Sequence, residues 1–212
     1  MIYHDVEQNT DEWYALRCGH LGGSSMSTVM ANDGKAFGDP AKRLAMKIAT
    51  ERLTGKPIES TYTNKAMDDG HLYEPLARQA YEHRFFVEVK NGGFFDAGNV
   101  GFSPDGLVGD DGLVEIKSVG PTSHIPVVKK QSYDSSYKWQ LICNMHYSER
   151  QWIDFISYCP VMPEQYRLYT YRLKREDVKT EIESMEIRVA KFFELVESNI
   201  DLILNSNYEV NL

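Results

Sequence analysis

Apolar positions recur along this chain with two different periods, and the switches between them outline a fold. From Asp177 onward, Val178, Ile182, Met185, Val189, Phe192, Val196 and Ile203 fall at helical spacing with Glu and Lys between them. That stripe predicts a long helix packed on a core, with a subunit contact as its alternative use. Residues 40–54 predict another helix, because Asp39-Pro40 places an N-cap ahead of a first-turn proline and Gly55 supplies a C-terminal stop. A further helix covers residues 65–83, where Pro75 either kinks it or starts it afresh, and one more covers residues 137–147. Runs rich in aromatic and β-branched residues, bounded by turn formers, predict strands at 85–90, 93–97, 102–107, 113–118, 151–158 and 166–173. The expected fold class is α/β, a central mixed β-sheet flanked by helices. Residues 120–136 follow neither period and read as a long loop, and residues 31–38 form a glycine-bearing loop placed to reach over a groove.

At 212 residues, 42% hydrophobic and 12% aromatic, the chain can bury one substantial core and is short for two. A single domain is expected, its motif-bearing core spanning about residues 13–173 and a C-terminal helix about 177–205. No apolar run reaches the length of a bilayer span, and Met1-Ile-Tyr-His-Asp-Val-Glu lacks the basic and apolar parts of a secretion signal. No membrane contact and a cytoplasmic location are therefore expected. Cys18, Cys143 and Cys159 are odd in number and scattered, which fits reduced thiols and argues against a disulfide scaffold, a zinc ribbon or an iron-sulfur cluster. Lys and Arg number 23 against 31 Asp and Glu, a net charge of -8 that runs against the basic footprint of nucleic-acid binders. Positive charge is local instead. Lys42, Arg43, Lys47, Arg52 and Lys56 recur along one helix, and Lys129, Lys130 and Lys138 precede Gln140; each alone reads first as a solvated face.

The densest chemistry lies between Gly101 and Lys117. Residues 102–107 run in as a strand, Gly109-Asp-Asp-Gly112 is a turn signal and residues 113–118 return, which brings Asp105 and Glu115 together. Side chains two apart on a strand share a face, so Glu115 and Lys117 point one way while Val114 and Ile116 point into a core. Two carboxylates suffice for a hard divalent cation such as Mg2+, which takes oxygen ligands and keeps several waters. A lysine beside them suits phosphodiester hydrolysis, where it orients the attacking water or offsets charge on phosphorus. Asp-Gly turns and Glu-x-Lys strands are also ordinary structure, so the hairpin alone leaves the chemistry open. Its acids are not spaced as an EF-hand requires.

Other elements accompany the hairpin in fixed order. Trp13-Tyr-Ala-Leu-Arg17-Cys-Gly-His-Leu-Gly-Gly-Ser24 comes first, then Gly70-His-Leu-Tyr-Glu74-Pro-Leu-Ala-Arg78. After the hairpin come Tyr137-Lys-Trp-Gln140 and Trp152-Ile-Asp-Phe-Ile-Ser-Tyr158. Arg17 is a planar fork suited to phosphate, and Gly22-Gly23 let backbone N–H groups approach an anion ahead of a helix start at Ser24. An N-cap beside a surface arginine has the same spelling. Glu74 and Arg78, one helical turn apart, read first as an intrahelical ion pair, with His71 on the same face as Glu74. Gln140 sits among Trp139, Leu141 and Ile142, where it either pairs with backbone or faces a site.

In this order the motifs resemble the bacteriophage lambda exonuclease family, also called YqaJ-like viral recombinases, within the PD-(D/E)xK nuclease superfamily. The resemblance covers about residues 13–158. It implies a restriction-endonuclease-like core in which Asp105 and Glu115 bind the metal with the backbone carbonyl of Ile116. Lys117 would be the catalytic lysine, Glu74 the helix-borne acid that completes the metal site, and Gln140 the glutamine beside the attacking water. Arg17 and Ser24 would hold a 5'-phosphate. The family likeness further implies Mg2+-dependent or Mn2+-dependent 5'-to-3' degradation of double-stranded DNA ends, leaving 3' single-stranded tails for phage-type recombination. A homotrimer threaded by DNA, a single-strand annealing partner and a bacterial host cytoplasm belong to the same implication. Two departures stand out: a second glutamine common in the family is Ile142 here, and Gly22-Gly23-Ser24 replaces a Thr-Ala-Ser. Competing readings are a metal-dependent endonuclease of the same superfamily and a non-catalytic DNA-end-binding module. Dependence on a 5'-phosphorylated end separates the first, and the intact Asp105, Glu115 and Lys117 speak against the second.

Overall fold

The strands divide between two four-stranded mixed sheets rather than forming one. The structure, a computed structural model, describes residues 1–32, 34–58 and 65–206, with backbone alone for 65–71. In the first sheet β1 (Ile2–His4), β3 (Phe94–Ala97), β4 (Val100–Phe102) and β2 (Leu21–Gly22) lie side by side in that order. In the second the order is β5 (Gly106–Val108), β6 (Gly112–Ser118), β7 (Trp152–Tyr158) and β8 (Leu168–Lys174). β6 and β7 are parallel, with Glu115 opposite Phe155 and Lys117 opposite Ser157; both outer pairs are antiparallel.

The expected single strand at 102–107 is thus two strands in different sheets. Pro104 has no N–H to give a ladder, and the chain turns at Ser103-Pro104-Asp105 from one sheet to the other. The strand expected at 85–90 is also absent. Phe85 ends α4 (Lys65–Phe85), Phe86 takes a left-handed φ of 55°, and Lys90 makes one isolated bridge to Leu107. Glu82 captures this segment's amides: its carbonyl accepts from Val87 at 3.3 Å and its side chain from Val89 at 2.8 Å.

The helices α1 (Asp11–Arg17), α2 (Met26–Met30), α3 (Asp39–Thr54), α6 (Lys138–Tyr147) and α7 (Lys179–Leu204) complete most of the frame. Asp39 is the first residue of α3 and Gly38 its N-cap, while Gly55 ends the helix with φ 64° as expected. Pro75 lies inside α4, which continues through it. The expected loop at 120–136 contains α5 (Pro121–Lys130). Two prolines disguise it: Pro121 occupies the first turn, where its missing N–H costs nothing, and Pro126 is tolerated because tertiary contacts anchor the helix. His124 is buried, one ring nitrogen 2.8 Å from Ser157 Oγ on β7 and the other 3.1 Å from the Tyr166 carbonyl.

Two apolar clusters cover the second sheet. Leu113, Ile153 and Phe155 join the larger one with α2, α3, α6 and α7. Val114, Ile116, Ile156 and Tyr158 join the smaller one with Ala77 and Tyr81 of α4. Burial on both faces explains why β6 and β7 read as nearly continuous apolar runs. Tyr81 docks α4 more firmly by donating to the buried Asp154 at 2.7 Å, a carboxylate that Arg172 also holds with two bonds of 2.8 Å. The loop after α2 is fastened by buried Arg188, which stacks on Phe37 and donates to the carbonyls of Val29, Ala31 and Lys35. No helix among the described residues is long and apolar enough to cross a membrane.

Candidate active site

The bend between the sheets builds one wall of the site. A Cβ on Gly92 would stand 1.7 Å from the Pro104 carbonyl oxygen, so the bend rests on the bare face of that glycine. Trp13 fixes the same bend by donating from its indole to Ser103 Oγ at 2.8 Å. The N–H of Asp105 joins the Val114 carbonyl at 3.1 Å, and Asp105 Oδ2 accepts the Ile116 N–H at 2.5 Å. A side chain thus takes the bond that a longer incoming strand would have made. The N–H and C=O of one strand residue leave on the same edge, so the Ile116 carbonyl faces the gap that Asp105 lines.

Glu115 is 1% exposed and is gripped by three donors. Lys117 Nζ and Gln140 Nε2 each donate to its Oε1 at 2.6 Å, and Asn144 Nδ2 donates to its Oε2 at 3.1 Å. Lys117 shares a strand face with Glu115, while Gln140 and Asn144 lie one turn apart on α6. The Tyr137 ring lies 5.1 Å from the Lys117 ammonium. Burial, then the charge of Asp105, pushes Glu115 up to about 7 against the pull of Lys117. Burial alone would lower Lys117, but Glu115 and Asp105 more than reverse this, so the ammonium keeps its proton.

From the opposite face of the sheet, α4 contributes Glu74 and Arg78. Arg78 Nη2 donates to the Asp105 backbone carbonyl and stands 3.7 Å from Glu74 Oε1. The intrahelical pair therefore exists and is turned toward the bend. Burial and the Asp105 charge raise Glu74 to about 7, opposed by Arg78 and Lys117.

Arg17 and Ser24 also meet, around Gly22. A Cβ there would lie 3.6 Å from Arg17 Nη2, 3.9 Å from Ser24 Oγ and 4.0 Å from Ser25 Oγ. The guanidinium stacks on Trp13 at 4.1 Å, and burial lowers its pKa. Among the described residues it has no hydrogen-bonding or ion-pair partner. The expected helix start at Ser24 is instead a 3-10 turn over Gly23–Ser25, and α2 begins at Met26 with five residues. Guanidinium and hydroxyls, rather than a helix terminus, make this cradle.

Residues 12–151 match the YqaJ-like viral recombinase domain. The chain belongs to that family. The protein resembles an alkaline exonuclease, LHK-Exo, from Laribacter hongkongensis, at 31% identity and TM-score 0.81 over 92% of this chain and 96% of that one. The structure of LHK-Exo in complex with dAMP matches at 32% identity with the same TM-score and coverage. A phage related exonuclease from Haemophilus somnus shares the fold, at 14% identity and TM-score 0.71 over 87% of this chain and 96% of that one. No curated protein matches the sequence.

In this YqaJ-family chain, Asp105, Glu115, Glu74 and the Ile116 carbonyl offer only oxygen. That donor chemistry fits a hard cation such as Mg2+ or Mn2+, whose charge would offset both the burial and the Asp105 charge that raise Glu74 and Glu115. The carboxylates interact through their charges without closing into a cage: among the described residues no group of three or more His, Cys, Asp or Glu has metal-holding geometry. Cys18, Cys143 and Cys159 are free thiols. Much of the expected local positive charge is consumed elsewhere. Arg52 binds the Gly19 carbonyl, Glu197 and Asn99; Lys47 faces Glu51, and Lys138 faces Glu181. His71 lies outside the residues whose side chains are described. Asn144 and the contact of Arg78 with Asp105 escaped sequence reasoning, although Asn144 follows Gln140 by one helical turn.

Proposed function

We propose that this chain is a Mg2+-dependent or Mn2+-dependent exonuclease that degrades duplex DNA 5'-to-3' and leaves 3' single-stranded tails. The observation that carries this reading is the meeting of Lys117 and Gln140 on one oxygen of Glu115, beside the gap where Asp105 holds Ile116. Asp105, Glu115 and the Ile116 carbonyl would hold the cation, with Glu74 beside them. When bound, the ion neutralises phosphoryl oxygens and makes water more acidic. Lys117 supplies a permanent positive charge where charge develops on phosphorus, and Gln140 offers its amide carbonyl to a proton of the attacking water. Arg17 and the Ser24 hydroxyl recognise a terminal phosphate, which favours an end-directed enzyme over an endonuclease. Likeness to an alkaline exonuclease supports the reading, and dAMP, found with that relative, is the class of product an exonuclease releases.

Membership of a recombinase family supports the remaining steps. The chain acts as a homotrimer on DNA ends in a bacterial cytoplasm and passes its 3' tail to a single-strand annealing protein. Digestion of a linear duplex labelled at each end, with and without Mg2+ and 5'-phosphate, tests polarity, metal need and end recognition together. Expected is metal-dependent loss of the 5' label first, faster from a phosphorylated end. Cleavage at internal sites of a closed circle would replace this reading with the endonuclease one.

A further inference from the structure

Asn144 is buried, at 1% exposed, with half of its hydrogen bonding unaccounted for. Its Nδ2 donates to Glu115 Oε2 at 3.1 Å, while its Oδ1 has no partner among the described residues. Ionised Glu115 only accepts, so in the form that takes a cation the amide nitrogen faces Glu115 and the oxygen faces away. What the oxygen faces is Gly23: a Cβ there would stand 2.5 Å from Asn144 Oδ1 and 3.1 Å from the Phe102 Cβ. One residue earlier, a Cβ on Gly22 would meet Arg17 Nη2 and the hydroxyls of Ser24 and Ser25 at 3.6 to 4.0 Å. A single amide therefore lies between the backbone of the anion cradle and the buried carboxylate.

We propose that Asn144 is a positioning residue that couples the two. A terminal phosphate monoester, held by Arg17 and Ser24, draws the Gly22-Gly23-Ser24 backbone against Asn144 Oδ1 and supplies the N–H donor that this oxygen lacks. Asn144 Nδ2 is thereby fixed on Glu115 Oε2, which settles the carboxylate for its cation. An unsatisfied buried acceptor is unfavourable, so the contact that satisfies it is favoured whenever the cradle fills. By linkage, phosphate binding and cation binding then strengthen one another. The identity of the phosphate rests on the exonuclease reading above; the coupling rests on the geometry alone.

The test uses the full chain, a short 5'-phosphorylated duplex and its 5'-hydroxyl counterpart, each made with non-hydrolysable terminal linkages for Mn2+ binding followed by electron paramagnetic resonance and with ordinary linkages for digestion. In the unaltered protein the phosphorylated duplex tightens Mn2+ binding several-fold more than the hydroxyl one. Asn144→Ala, shown to be folded by its melting curve, loses that difference, and its digestion no longer prefers a phosphorylated end. Gly23→Ala gives the same losses, because its methyl group pushes Asn144 Oδ1 away, and adds less to Asn144→Ala, where only the 3.1 Å approach to the Phe102 Cβ remains. If Asn144 merely supported Glu115, Mn2+ binding would weaken equally with both duplexes and the phosphate effect would persist, which overturns the proposal. Should Asn144→Ala not fold, Gly23→Ala decides: retention of the phosphate effect on Mn2+ binding ends the coupling, and its loss while the phosphorylated duplex still binds more tightly than the hydroxyl one without metal upholds it. A protein that digests neither duplex defeats the exonuclease reading, while the Mn2+ measurement still judges the coupling.

Discussion

Lys117 and Gln140 donate to the same oxygen of Glu115, each at 2.6 Å, although one rises from a strand and the other from a helix that follows it. That oxygen fixes where ammonium and amide stand relative to each other. Lys117→Ala removes the charge without removing an acid. We expect a folded protein that still binds Mn2+ and whose cleavage rate falls by roughly 100-fold or more, the scale of a positioned acid-base group. Gel digestion beside a melting curve checks this, and undiminished digestion by the folded variant would refute the assigned chemistry.

Asp105 has a structural task as well as a charge. Asp105→Asn keeps an oxygen for the Ile116 N–H but loses the anion, so the fold stays and Mn2+ binding weakens. A loss of about tenfold or more is expected, the scale on which even the outer partners of metal ligands act. Asp105→Ala also strands the Ile116 N–H, which costs about 1–3 kcal/mol of stability. Equal melting temperatures for the two variants would show that the bond between Asp105 and Ile116 contributes nothing.

Glu74 and Glu115 both rise from an ordinary 4.5 to about 7, first through burial and next through the neighbouring Asp105 charge. An acid whose pKa is raised by folding favours the fold while it is protonated. Its contribution is complete below the ordinary value and is lost as pH climbs through about 7. In a chelating buffer the melting temperature therefore falls between roughly pH 5 and pH 8. A cation held by these acids would take them ionised, so the stabilisation given by added Mg2+ should grow over the same interval. A Mg2+ effect larger at the acid end would contradict the assignment.

How far the sequence disclosed this arrangement depends on whether a feature is local. The Asp-Gly turn, the Glu-Ile-Lys alternation on β6 and the apolar stripe of α7 are local, and each lies where its pattern placed it, except that Ile203 near the end of α7 is exposed rather than packed on the core. The helix α5 was hidden because its two prolines argue against a helix locally, whereas His124 and Val127 anchor it to the rest of the fold. Residues 85–90 have strand composition, yet Glu82 takes their amides. Spacing puts Arg78 one turn from Glu74 and Asn144 one turn from Gln140, but their contacts with Asp105 and Gly23, which arrive from distant parts of the chain, follow from no spacing rule.

Arg17 stacks on Trp13 and feels the charge of Glu51, but among the described residues no side chain forms a hydrogen bond or ion pair with its guanidinium, so the fork remains available for a ligand. Arg17→Ala should therefore lower the rate on 5'-phosphorylated ends toward that on 5'-hydroxyl ends, and Ser24→Ala should do so less. Because a guanidinium gives two parallel bonds and a full positive charge to the phosphate while a hydroxyl gives one bond and no charge, the arginine carries most of the preference. Rates on the two ends, measured side by side, decide it. A preference that survives both changes removes this cradle from end recognition.

Gly92 lies outside every motif, yet the Pro104-Asp105 bend depends on it. A Cβ there would stand 1.7 Å from the Pro104 oxygen and 2.7 Å from its carbonyl carbon, both backbone atoms that cannot rotate away. Gly92→Ala must shift the bend, and with it Asp105. Overpacking of this kind costs about 1–3 kcal/mol. The loss of activity should exceed what that destabilisation explains, since misplacing a reacting group by about 1 Å can cost around 100-fold. Gly120→Ala is the control: a Cβ there meets nothing within 4 Å, and only a weak N-cap of α5 is altered. Below both melting temperatures, Gly92→Ala should be nearly inactive while Gly120→Ala digests DNA normally; equal activities would mean that the bend does not set the position of Asp105.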